Sequence, residues 1–133
     1  MQRFTELKVW QRSHSLVLSV YRMTTGFPQN ERYGLISQVR RSALSVPTNI
    51  AEGSKRLTSH EYARFLNIAE ASLAETEYLL MVSRDLGYIT PIMADKSFVE
   101  ISELSRMLHG LRKKVESAGR LTGAVGALKG TTH

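Results

Sequence analysis

The amino-acid sequence predicts an all-α fold, an antiparallel up-down-up-down four-helix bundle whose second helix is kinked near Pro47. Three observations predict this fold class. Apolar residues recur at intervals of three and four residues along four segments. Glycine and proline separate these segments by short connections. No segment shows the apolar–polar alternation of a half-buried strand. Long amphipathic helices joined by short connections are typical of a bundle.

The first helix is predicted over residues 5–25, and two apolar rows run along it. One row holds Leu7, Trp10, His14, Val17 and Tyr21, and the other Val9, Ser13, Leu16, Val20 and Met23. A helix of a small monomer usually needs only one apolar stripe. We therefore expect Val9, Leu16, Val20 and Met23 of the second row to contact another subunit.

The second helix is predicted to begin near Asn30 and to end at Gly53. Pro47 lies inside its apolar pattern. Because proline removes a helical hydrogen bond and clashes with the preceding turn, we expect a kink or a short break there. Nearby polar side chains on one face can satisfy backbone groups at such a kink. We interpret these residues as a structural motif comprising Ser45, Pro47, Asn49, Glu52 and Gly53.

The third helix has a clear beginning. Thr58 and Glu61 have the spacing of a capping box, in which each side chain accepts a hydrogen bond from the other residue's amide. The apolar pattern then continues to about Leu86, and Gly87 is the expected C-terminal cap.

The fourth helix is predicted to begin at Thr90-Pro91, a cap residue followed by proline at the first helical position. It should end near Ser117, after which glycine becomes frequent. We therefore predict one bundle domain over residues 1–117 and a flexible, glycine-rich tail over residues 118–133.

The 133 residues include 18 Lys and Arg and 12 Asp and Glu, a net charge of +6. Residues 1–56 and 104–133 are basic, whereas residues 57–103 are acidic. The basic segments favour a surface for RNA or DNA, with arginine gripping phosphate in a bidentate manner. Two alternatives stay open: the charged segments neutralise each other within or between subunits, or the cations at the end of helix four complement its dipole. The candidate phosphate contacts are Arg40, Arg41, Lys55, Arg56, Arg112, Lys113 and Lys114.

The sequence lacks the common motifs of metal-binding, phosphate-binding and cysteine-based catalytic sites. Cysteine is absent, no glutamate precedes a histidine by three residues, and the Gly-rich phosphate loops do not occur. We therefore expect no enzyme activity, no cofactor or metal and no small-molecule substrate. A metal-dependent nuclease using Glu70, Glu75, Glu77 and Asp85 is the weaker alternative. With no signal peptide and no long apolar run, we expect a cytoplasmic protein without a membrane partner.

Four strings of the sequence resemble a known family. They read FxxLxVW, FPxxExYGLxxQxRRSAxSVPxNIAEG, EYxRFLxIAxxSLxE and LGYI, over residues 4–10, 27–53, 61–75 and 86–89. Together they are similar to the four-helix-bundle proteins encoded in intervening sequences of bacterial large-subunit ribosomal RNA genes. The similarity covers about residues 4–115.

The resemblance implies a cytosolic bundle that forms a homo-oligomer, with a ring-shaped pentamer favoured. The family is similar to the accessory variability protein of diversity-generating retroelements, a basic pentamer that works with nucleic acid. No catalytic residue is implied. We therefore predict a non-enzymatic homo-oligomer that binds RNA or DNA through the phosphate backbone, with a protein–protein adaptor or structural oligomer as the alternative.

Overall fold

The computed structural model describes the backbone of residues 3–130 and the side chains of residues 3–119. This part of the chain forms four α-helices and no strand, so the predicted all-α class is confirmed. A short 3-10 turn, Phe4–Glu6, precedes the first helix. The helices are α1 (Lys8–Thr24), α2 (Ser37–Ser54), α3 (Ser59–Asp85) and α4 (Pro91–Gly130).

The helices pack as neighbours in chain order. α2 packs on α1 and α3, and α4 packs on α3 and back on α1, so α1 and α3 lie on a diagonal. Apolar side chains from all four helices fill the space between them. The largest fully buried ones are Val20, Val39, Val46, Ile50, Leu66, Leu73, Leu80, Ile101, Leu104 and Leu108.

α3 begins with the Thr58 half of the predicted capping box, and it ends at the predicted glycine. Thr58 Oγ1 accepts a hydrogen bond from the Glu61 amide at 3.1 Å, while the Glu61 carboxylate accepts one from Arg64. Gly87 has a φ of +80°, and the Tyr88 amide donates to the Ser83 carbonyl at 2.9 Å. This is a Schellman closure, which favours glycine because other residues rarely adopt positive φ.

The regular part of the second helix begins later than predicted, because the sequence places its start near Asn30 and α2 begins at Ser37. A 3-10 turn (Gln29–Glu31) and a π-helical turn (Arg32–Ile36) precede α2, and Gly34 has non-helical angles of φ −106° and ψ −109°. The irregular backbone therefore lies at Gly34. At Pro47, where the sequence predicts a kink or a short break, α2 continues without a break. A bend of the axis near Pro47 stays a prediction.

The connection is held by a carboxylate. Glu31 accepts hydrogen bonds from the Leu35 amide and from the Tyr88 hydroxyl, the latter at 2.9 Å. Because the bond is to the neutral phenol, Glu31 raises the pKa of Tyr88. The hydrogen bond from Tyr88 to Glu31 joins the α1–α2 connection to the α3–α4 turn.

The end of α4 differs from the prediction. The helix was expected to stop near Ser117, and it continues to Gly130. Glycine inside a helix costs about 1 kcal/mol relative to alanine, which weakens a helix without forbidding it. The flexible tail over residues 118–133 lies mostly outside the described side chains and stays a prediction.

Three of the four subunit contacts predicted on α1 are wrong, because Val9, Leu16 and Val20 are buried in the core of a single chain and have no surface left for a second subunit. Met23 is half-buried against that core, and its contact with a second subunit stays a prediction. The two apolar rows of α1 fit a bundle in which this helix is packed on both α2 and α4.

None of the described helices is long and apolar enough to cross a membrane.

Candidate nucleic-acid interface

One end of the bundle collects basic residues that are far apart in the sequence. Because the helices alternate in direction, the end of α2, the start of α3 and residues 112–119 of α4 meet there. Gly119 packs so closely on Ser59 that an added Cβ would lie 2.9 Å from the Ser59 Cβ. We call this region, with its exposed cations Lys55, Arg56, Lys113 and Lys114, the basic end.

Lys55 and Arg56 belong to the turn between α2 and α3. Both side chains are exposed. The Lys55 ammonium lies 5.7 Å from the Phe4 ring centre, and the Arg56 guanidinium lies 4.8 Å from that of Phe65. Aromatic faces attract cations and hold these flexible side chains without neutralising their charge. The turn therefore presents two positive charges that remain available to an anion.

The cations of α4 divide into two kinds. Lys113 and Lys114 are exposed, with Lys113 Nζ 4.0 Å from a Glu116 oxygen. Arg112 is half-buried, and it forms ion pairs with Glu70 of α3 and with Glu116. Glu70, through its hydrogen bond, raises the pKa of the Arg112 guanidinium. Arg112 thus links α3 to α4 and is not free to bind phosphate.

Arg40 and Arg41 lie outside the basic end. Arg40 donates to Thr24 Oγ1 at 2.8 Å and to the Tyr21 carbonyl at 3.3 Å, and its guanidinium covers the Tyr21 ring. It therefore ties α2 to the last turn of α1. Arg41 is exposed and donates to Ser37 Oγ at 3.3 Å. At 1.5 Å of rise per residue, Arg41 is about 20 Å along α2 from Lys55.

The predicted polar motif is partly a network between helices. Asn49 donates to the carbonyl and the hydroxyl of Ser45, and the Ser45 hydroxyl bonds to Ser72 of α3 at 2.8 Å. Glu52 is exposed at the end of the same helix. Gly53 is buried where α2 meets α3, and Pro47 is buried in α2.

Two further cations lie at the same end and were not predicted from the sequence. Arg3 and Lys8 are exposed at the start of the chain, which the fold places beside the ends of α2 and α4. Lys8 lies one turn before Arg12, which pairs with Glu100 and Glu103 of α4. The available signal was the predicted up-down-up-down order, because antiparallel helices place the start of the first helix beside the ends of the second and fourth.

A cleft opens beside the basic end, between α3 and α4. It has a volume of about 920 Å³, and Arg64, His60 and Asn67 line it along with apolar atoms of Leu57 and Ala63. Arg64 pairs with Glu61 of its own helix. Two carboxylates of this region, Glu61 and Glu116, are engaged by arginine. Glu6 and Glu52 are exposed at the same end, and the four exposed cations of the basic end outnumber them.

Glu70 and Asp85, two of the carboxylates considered for a nuclease site, lie far apart on α3. Glu70 pairs with Arg112, and Asp85 pairs with Arg84 near the opposite end of α3. Among the described residues, no group of three or more His, Asp or Glu side chains is placed to hold a metal ion.

Comparison with known proteins gives a family. The model of the 23S rRNA-intervening sequence protein family matches residues 5–110. The chain belongs to this family. A solved structure also resembles it: a protein of unknown function from the S23 ribosomal protein family of Bacteroides thetaiotaomicron VPI-5482. That chain is 23% identical with a TM-score of 0.71, and the alignment covers 79% of the present chain and 98% of that one.

The family assignment agrees with the resemblance found in the sequence motifs. At 23% identity, the solved structure supports the bundle fold alone. Curated proteins give no match. The site in this member of the intervening sequence protein family is therefore interpreted from its own geometry.

Proposed function

We propose that this intervening sequence protein is a non-enzymatic homo-oligomer that binds RNA or DNA through the phosphate backbone, using the basic end of each bundle. The observation that carries the proposal is the convergence of Lys55 and Arg56 with Lys113 and Lys114 at one end of the fold. All four side chains are exposed.

The basic end suits the phosphate backbone better than base edges. Sequence-specific RNA recognition usually stacks unpaired bases on exposed aromatic rings. Here Phe4 and Phe65 lie under Lys55 and Arg56. Cations without a stacking platform favour contacts that depend on charge and only weakly on sequence.

A homo-oligomer would repeat the basic end around an axis. Each copy alone offers only a few phosphate contacts, and linked copies raise the effective concentration of one contact once another has formed. The family resemblance favours five subunits. In this proposal the oligomer gains affinity for nucleic acid by repeating the basic end, and binding needs neither cofactor nor metal.

The test is a comparison of two charge variants. Lys55→Gln, Arg56→Gln and Lys114→Gln combined should weaken binding to a labelled structured RNA by about tenfold or more, because each lost phosphate contact removes a released counterion. The control variant, Lys96→Gln, removes an exposed lysine of α4 that belongs to neither the basic end nor the α1–α2 side of the bundle. It should bind within about twofold of wild type, since Lys96 lies about 25 Å along α4 from Lys113. Fluorescence anisotropy of full-length proteins at physiological salt gives both affinities.

Equal losses in the triple variant and the control would contradict the basic end as the contact surface. Failure of the wild-type protein to bind RNA or duplex DNA even at low salt would contradict the function itself. That outcome would favour the alternative, a protein–protein adaptor or structural oligomer whose charges serve assembly.

A further inference from the structure

An apolar groove runs along the surface between α1 and α2. It has a volume of about 560 Å³ and is lined mainly by apolar atoms. Two large apolar side chains of this groove are exposed to solvent: Leu18 is 41% exposed and Leu44 is 42% exposed. Trp10 lies in the same groove and stacks on His14, with 5.1 Å between ring centres and 8° between planes. The groove thus has a preformed aromatic wall.

The two helices that form the groove carry almost no negative charge. α1 has no carboxylate, and α2 has one, Glu52, at the groove's end nearest the basic end. Arg41 is exposed one turn before Leu44 on α2. An apolar surface with positive flanks fits a partner surface that is apolar and acidic.

The outer face of α3 has this complementary character. Away from the core, α3 exposes apolar side chains at helical spacing, with Tyr78 63% exposed. Glu75 and Glu77 are exposed beside it, and residues 65–83 contain no lysine or arginine. The apolar members of this face are Ile68, Ala71, Ala74, Tyr78 and Met81.

The groove and the outer face of α3 cannot meet within one chain. α1 and α3 are diagonal in the bundle, and α3 already packs on α2 and α4 through its opposite side. Each copy therefore presents two different, complementary surfaces. Contacts of this kind join copies head to tail, and they close into a ring when the rotation allows.

We propose that copies of this chain associate by seating the outer face of α3 of one copy in the α1–α2 groove of the next. The inference rests on the homo-oligomer of the proposed function and identifies its two surfaces. Burial of Leu18, Leu44 and Tyr78 supplies the apolar contact. The positive flank at Arg41 faces the carboxylates of Glu75 and Glu77, which fixes the direction of the contact.

The test uses one variant for each surface. Leu44→Glu places a carboxylate in the groove, and Tyr78→Glu places a carboxylate on the outer face of α3. Both positions are surface positions, so both variants should fold, which circular dichroism checks. The matched control is Ile92→Lys, since Ile92 is 81% exposed on α4 and belongs to neither surface.

Sedimentation analysis of the full chain should give a wild-type oligomer, an oligomer for Ile92→Lys, and monomers for each surface variant alone. An equimolar mixture of Leu44→Glu and Tyr78→Glu should form a dimer of one copy of each, because the other junction would bring the two introduced carboxylates together. In that dimer, the intact groove of one variant holds the intact α3 face of the other.

A mixture that stays monomeric while the wild type is oligomeric would overturn the head-to-tail arrangement, because a contact between identical faces is not rescued by mixing. Surface variants with the wild-type mass would show that other faces associate. A wild-type monomer that still binds RNA would contradict this inference and leave polyanion binding standing. An oligomer that binds no RNA would do the reverse.

Discussion

Arg40 and Arg41 are neighbours in sequence and differ in what they contact. Arg40 donates hydrogen bonds to Thr24 and to the Tyr21 carbonyl, whereas Arg41 donates to Ser37 of its own helix. The sequence predicts both as phosphate contacts because an arginine pair in a polar string gives no indication of which side chain turns toward the last turn of α1. At the residue scale, charge identifies candidates and the hydrogen-bond partner decides their role.

The pair therefore predicts unequal effects on stability. Arg40→Ala should lower the free energy of unfolding by about 1–3 kcal/mol, because it removes charge-assisted hydrogen bonds and a cation–π contact. Arg41→Ala should change it by less than about 0.5 kcal/mol, as exposed substitutions usually do. Urea unfolding followed by circular dichroism measures both. Equal effects in the two variants would contradict the placement of Arg40.

At the scale of elements, the close packing of α2 on α3 is set by small residues. A Cβ at Gly53 would lie 2.8 Å from the Phe65 Cβ and 3.0 Å from Tyr62 Cδ1. Ser42 and Thr76 share a buried hydrogen bond of 2.8 Å across the same interface. Side chains this small let the two backbones approach, and the buried hydroxyls satisfy each other.

Two glycines in helices should respond to alanine with opposite signs. Gly53→Ala should destabilise the protein by about 1–3 kcal/mol, since it forces overpacking between α2 and α3. Gly110→Ala should stabilise it by about 0.5–1 kcal/mol, because alanine favours helix and the site on α4 has open space. Thermal unfolding of both variants measures the two shifts. A Gly53→Ala variant as stable as wild type would contradict the close approach.

Helix ends with specific chemistry could be predicted from the sequence, and irregular backbone could not. Thr58, Gly87 and Thr90-Pro91 act through their own side chains or backbone freedom, so their roles are readable locally. The break at Gly34 depends on Glu31, which is bonded to Tyr88 from a distant part of the chain. Likewise, the burial of Val9, Leu16 and Val20 within one chain depends on two neighbouring helices, which spacing along α1 does not specify.

On the scale of the whole molecule, the alternation of helix direction gathers the charge. Clusters at residues 55–56 and 113–114 are nearly sixty positions apart in sequence, and the bundle places both at one end. The sequence identified these four cations as candidates, but Arg112 was grouped with them and instead pairs with Glu70. Only the fold distinguishes a cation that links helices from one that is exposed.

The salt dependence of RNA binding is the sharpest test of phosphate contact by the basic end. Such contact predicts that the logarithm of the association constant falls linearly with the logarithm of salt concentration, with a slope of about −0.7 to −0.9 for each phosphate contacted. Neutralising Lys55, Arg56 and Lys114 should make the slope per chain shallower by about 2–3, whereas Lys96→Gln should leave it unchanged. A wild-type slope near zero, or one that the triple variant does not alter, would contradict binding by the basic end.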